Sequence, residues 1–137
     1  MKKSILFLVL FVSTFVFAGN NVSSQYERTE ENLLVGLSSE NTGLRLSSAY
    51  LLGEIKSDNA IIPLLEILHN SNECCERQAA ALALFKINSK RGMYAIKQAT
   101  SFDKNPQTRK ICSVLYNQHL IREQNSDVEV EPNLVTN

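Results

Sequence analysis

The side chains best suited to metal, redox or nucleophilic chemistry in this chain are Cys74, Cys75, Cys112, His69 and His119. Zinc requires three or four converging ligands, and neither histidine has an HxxxH, HExxH or CxxC spacing around it. No metal and no cofactor is therefore expected. The adjacent Cys74 and Cys75 could join each other only through a strained ring. They head a predicted helix, where the dipole lowers a thiol pKa and raises reactivity, so thiol chemistry stands as the alternative to a structural or incidental role. Cys112 falls on an apolar helix face and reads as a small hydrophobe; a bridge from it to the 74/75 pair is the disulfide alternative. The chain has no glycine-rich phosphate loop, GxSxG elbow or Ser/His/Asp order, the arrangements that carry phosphate binding and acyl transfer. No catalytic residue is assigned, and the chain reads as a non-enzyme.

Arg45, Arg77 and Arg109 are a different kind of signal, because they recur at a spacing of 32 residues. Periods of about 20–50 residues belong to stacked repeats. Other columns agree at the same period: Ala49, Ala81 and Ser113 are small, and Leu52, Leu84 and Tyr116 are large. At 3.6 residues per turn, Leu44, Ser48, Leu52 and Ile55 share one helix face. Ala80, Leu84 and Ile87, then Cys112, Tyr116 and His119, repeat it. A second helix precedes each of these, most clearly where Ile61, Leu64, Leu65 and Leu68 form an i, i+3, i+4, i+7 stripe. Pro63 suits the first turn of such a helix. The clusters SSENTG, NSNE and DKNP between helices are turn and cap chemistry, with Asn105 before Pro106 as an N-cap.

The stretches LRLSSAYLLGEI and RQAAALALFKI resemble the second helix of a HEAT repeat of the short bacterial type. RKICSVLYNQH keeps Arg109 but departs at Asn117 and His119, as a terminal unit facing water would. The resemblance implies an all-α fold: a short α-solenoid of about three antiparallel helix pairs in a right-handed superhelical stack. The repeat domain spans about 26–122, with units at about 27–57, 58–89 and 90–121. It also implies that the arginine column bridges adjacent units through carboxylates or turn carbonyls, and that the second helices line a concave face used for partners.

The residues themselves mark that face. Tyr50, Leu82 and Val114 lie opposite the buried stripe, where a solvated helix carries charge. Leu46 and Phe85 lie near them, edged by Glu54, Gln78, Lys86, Lys110 and Gln118. The expected function is a non-catalytic scaffold that binds a protein or peptide there. The alternatives are a HEAT-like lyase or accessory factor, and a structural protein that self-associates into homo-oligomers.

Lys2 and Lys3 precede an apolar run from Ile5 to Phe17, and Val16-Phe17-Ala18 fits a signal peptidase site. The run is shorter than the roughly 20 residues that span a bilayer as a helix. Residues 1–18 are expected to be removed after Ala18, leaving a periplasmic or secreted protein of the bacterial envelope with no stable membrane insertion. Residues 19–25 read as a linker and 123–137 as a disordered acidic tail. Fourteen basic and fourteen acidic residues cancel over the chain, so no nucleic-acid partner is expected.

Overall fold

The computed structural model describes residues 25–128. The expected export leader, most of the expected linker and the residues beyond Val128 lie outside the described residues. Six α-helices pack against one another, and no strand occurs among the described residues. They are α1 (residues 25–36), α2 (Thr42–Glu54), α3 (Ile61–Asn70), α4 (Cys74–Ile87), α5 (Lys90–Phe102) and α6 (Pro106–Val128), with a 3-10 turn at Asp58–Ala60 before α3.

Local chemistry sets the helix ends. Asn41 and Asn105, two sequence periods apart, each accept from the backbone N–H three residues on, at 3.1 and 3.0 Å. Ser89 caps α5 through the Gly92 N–H at 3.0 Å. Each such cap satisfies a donor that the first helical turn leaves without a partner. Asn88 ends α4 in the left-handed region at φ 59°, a conformation asparagine tolerates better than most residues. Pro106 opens α6, where its missing N–H costs no helical bond.

Helix α4 is central, touching α2, α3, α5 and α6. Its sequence is apolar nearly all round and rich in alanine, which suits a helix covered on every side. Ala80, Ala81, Ala83 and Leu84 are all buried. Leu52, Leu64, Leu84 and Ile96 carry no exposed surface and form the middle of the core. Small side chains bring backbones close: a Cβ on Gly53 would stand 2.8 Å from the Cα of Ala83. On Gly36 it would stand 2.2 Å from Ser48 Oγ. That Ser48 hydroxyl is buried without a hydrogen-bond partner among the described residues, a cost of about 1–3 kcal/mol for such a group.

Two expectations shift. Leu44, assigned to the buried stripe, is exposed; it stands in the first turn of α2, and its periodic counterparts Glu76 and Thr108 are the buried members of that column. The last helix continues to Val128, beyond the expected boundary at 122. Arg122, Glu123 and Gln124 are strong helix formers, and His119 Nε2 lies 3.3 Å from Glu123 Oε1 across one turn. Among the described residues no helix is long and apolar enough to cross a membrane.

Candidate partner-binding surface

The three arginines share one contact. In each, Nη1 donates to the carbonyl six residues earlier: Ser39 at 2.5 Å, Ser71 at 3.0 Å and Asp103 at 2.7 Å. Those turn residues also fold alike. Ser39 Oγ, Ser71 Oγ and Asp103 Oδ1 accept from the N–H two residues on, at 3.1, 3.1 and 2.8 Å. The sequence period thus recurs as a period in hydrogen bonding.

The remaining donors of Arg45 and Arg77 reach forward along the chain. Arg45 Nε donates to Glu76 Oε1 at 3.0 Å, and its Nη2 pairs with the same carboxylate. Arg77 forks onto Asp103, Nε to Oδ2 at 2.7 Å and Nη2 to Oδ1 at 2.9 Å, the two-pronged geometry in which guanidinium and carboxylate match. Thr108 stands 32 residues after Glu76 and carries no charge, so the turn residue Asp103 supplies the anion. The Arg77 guanidinium holds the Asp103 carboxyl below its usual range against the opposing effect of burial. Arg45 does the same for Glu76. The contacts of Arg77 are thus with a carboxylate and turn carbonyls, those of Arg45 add the Thr42 hydroxyl at 3.0 Å to the same pattern, and that of Arg109 is with a turn carbonyl.

The outward row on α2, α4 and α6 is smaller than its sequence suggests. Tyr50 and Val114 are 49% and 50% exposed, but Leu82 is half-buried and packs on the core. Phe85, expected beside them, is buried: the Arg122 guanidinium lies 4.6 Å from its ring centroid. Leu46 and Gln78 are half-buried, and Gln78 donates to Thr108 Oγ1 at 3.2 Å. Lys86 pairs with Glu54 and places Nζ 4.0 Å from the Tyr50 ring centroid. The hydrogen bond from Lys86, with one from Tyr50 adding, draws the Glu54 carboxyl below its usual range. Lys110 and Gln118 are exposed. What remains open to a partner is Tyr50 and Val114, with Leu82 on the helix between those that carry them.

Cys74 is half-buried, Cys75 exposed and Cys112 buried, and all three thiols are free, with no bridge from Cys112 to the 74/75 pair. Burial, with Asp103 adding and Arg77 opposing, pushes the Cys112 thiol up to about 11. It stays protonated at neutral pH and is no nucleophile. No group of three or more His, Cys, Asp or Glu that could hold a metal occurs among the described residues.

One surface escaped the reading of whole-chain charge. Between 90 and 121 the basic residues are Lys90, Arg91, Lys97, Lys104, Arg109 and Lys110, and the only acidic one is Asp103. Residues 27–89 and 122–137 carry the compensating acids, and the overall balance conceals the asymmetry. Counting charge per repeat would have found it. No protein-family model matches the chain, and no curated protein matches it.

Proposed function

We propose that this chain is a short helical solenoid, three antiparallel helix pairs in a right-handed stack, and that it binds a protein or peptide without catalysis. It would do so in the bacterial envelope after loss of its leader. Support for the stack comes from contacts at one full period: Lys86 with Glu54, and Lys104 Nζ with Asn72 Oδ1 at 3.3 Å. Side chains 32 residues apart can touch when equivalent positions of neighbouring units lie side by side.

The observation that carries the binding role is the half-exposed Tyr50, braced by Lys86 and accompanied by Val114. An aromatic ring held in place by its own protein offers apolar area at little ordering cost, which favours affinity. Leu82 is a poor site for a test because charging it would disturb the core. Tyr50→Glu with Val114→Glu should abolish capture of an envelope partner by the full chain while leaving the melting temperature unchanged. Capture that survives both changes removes this row from consideration.

A second reading, self-association, is favoured by the face of α2. Leu51 is 44% exposed, while its counterparts Ala83 and Leu115 are buried against neighbouring helices. Leu44 and Val35 are exposed as well. Sedimentation at rising concentration separates the readings: Leu51→Glu should dissociate a homo-oligomer and leave a monomeric binder unaffected.

A further inference from the structure

Two hollows adjoin at His69 and Gln98. One, of about 390 Å³, is lined by Leu65, Lys90, Arg91, Tyr94 and Ala95 besides the shared pair. The other, of about 220 Å³, adds Leu68, Phe102, Asp103 and Lys104 over the buried Arg77. They form a furrow between α3 and α5, mainly apolar in the first hollow and mixed in the second, with Lys90 and Arg91 at one end and Lys104 at the other. Its only carboxylate, Asp103, is already neutralised by Arg77. Tyr94 is exposed and Phe102 is 80% exposed, so two aromatic rings flank the furrow. Glu66 of α3 opens onto a different hollow, with Leu37 and Pro63. Helix α5 itself has Lys90, Arg91 and Lys97 and no acidic residue.

We propose that the furrow between α3 and α5 binds an extended acidic peptide segment whose apolar side chains enter the two hollows. Charge complementarity selects the occupant: Lys90, Arg91 and Lys104 are exposed and form no ion pair among the described residues, and the one carboxylate in the lining, Asp103 beside Lys104, is paired with Arg77. Shape favours a peptide over a bilayer, because a concave strip with two side-chain-sized hollows cannot lie flush on a flat surface. Thirteen helical residues make α5 about 20 Å long, a span that about six extended residues cover. Alternate side chains of an extended chain point the same way, so in an acidic–apolar alternation the apolar face enters the hollows beside Leu65, Ala95 and Phe102, while the carboxylates at the two ends of the segment meet Lys90 and Arg91 at one end and Lys104 at the other. This surface is separate from the row at Tyr50, and either can fail without the other.

The test is fluorescence anisotropy with a labelled heptapeptide alternating glutamate with leucine, titrated with the full chain at low and moderate salt. The peptide binds, and Lys90→Glu with Arg91→Glu weakens it by about tenfold or more; both positions are exposed, so circular dichroism melting should not move. Tyr94→Ser weakens binding by a smaller factor, and Tyr50→Glu leaves it unchanged. A heptapeptide that fails to bind, or that binds the charge-reversed pair equally well, overturns the proposal. So does equal affinity for a glutamate–serine heptapeptide together with displacement by phosphatidylglycerol vesicles or an oligothymidylate, which would mark a surface for polyanions in general.

Discussion

The two sides of α4 solve the same packing problem with different materials. Toward α2 the contact is made by backbone proximity, Gly53 against Ala83, flanked by the pairs Arg45–Glu76 and Lys86–Glu54 that water still reaches. Toward α6 and the turn before it, Arg77 and Asp103 are 3% and 4% exposed, and Gln78 joins Thr108 beneath them. An ion pair open to solvent is weak because water competes for both charges. A buried pair brings little net stability over an apolar pair, yet removing one member strands the other charge at high cost. The side toward α6 should therefore be brittle to single substitutions, and the side toward α2 tolerant of charge loss but intolerant of added volume.

The largest effect should come from Arg77→Ala, a loss of about 3–5 kcal/mol in urea unfolding, because Asp103 is left ionised and buried. Acid should narrow the gap. In the intact protein the Asp103 pKa lies below its ordinary 3.8. Its contribution is thus present above that value and is lost as pH falls through the lowered folded value. Without Arg77 the cause that lowers the pKa is gone and burial, which raises it, remains. Protonation then relieves the variant as pH falls. A destabilisation that stays constant from pH 7 to about pH 3 would show that the carboxylate is not the source.

Next comes Gly53→Ala. The new Cβ meets the Cα of Ala83 at 2.8 Å, a backbone atom that cannot swing aside. Overpacking of about 1–3 kcal/mol outweighs the gain of about 1 kcal/mol in helix propensity, so the midpoint should fall modestly. An unchanged or higher midpoint would mean that α2 and α4 can separate freely.

Much of this architecture could be read from residue types. The helices, the asparagine caps and the burial of Leu52, Leu84 and Cys112 follow from periodicity and local hydrogen bonding, which short stretches encode. Which anion each arginine finds was hidden, because Glu76 lies 31 residues beyond Arg45 but Asp103 lies 26 beyond Arg77, and only the fold brings them together. Phe85 misled for a related reason. A helical wheel places it on the outward side, but Arg122 of α6 covers its ring, and no pattern local to α4 announces that. The furrow between α3 and α5 needs two helices to exist, so sequence could have offered only its charge.

On the side toward α2, Arg45→Ala should cost about 1 kcal/mol, since its pair is only partly shielded and Glu76 keeps the hydrogen bond from Ser71 at 2.8 Å. A loss as large as that of Arg77→Ala would erase the distinction between the two sides. Glu54→Gln should leave the unfolding midpoint where it is, because the carboxylate is open to water and its bond to Lys86 is screened. It should act elsewhere. With Glu54 neutral, Lys86 loses its anchor beside Tyr50 and the bond from Tyr50 to the carboxylate loses its charge, so the tyrosine ring becomes freer to move. Tyrosine fluorescence anisotropy in the Glu54→Gln chain should fall at unchanged stability, and an unchanged value would mean that Lys86 alone fixes the ring.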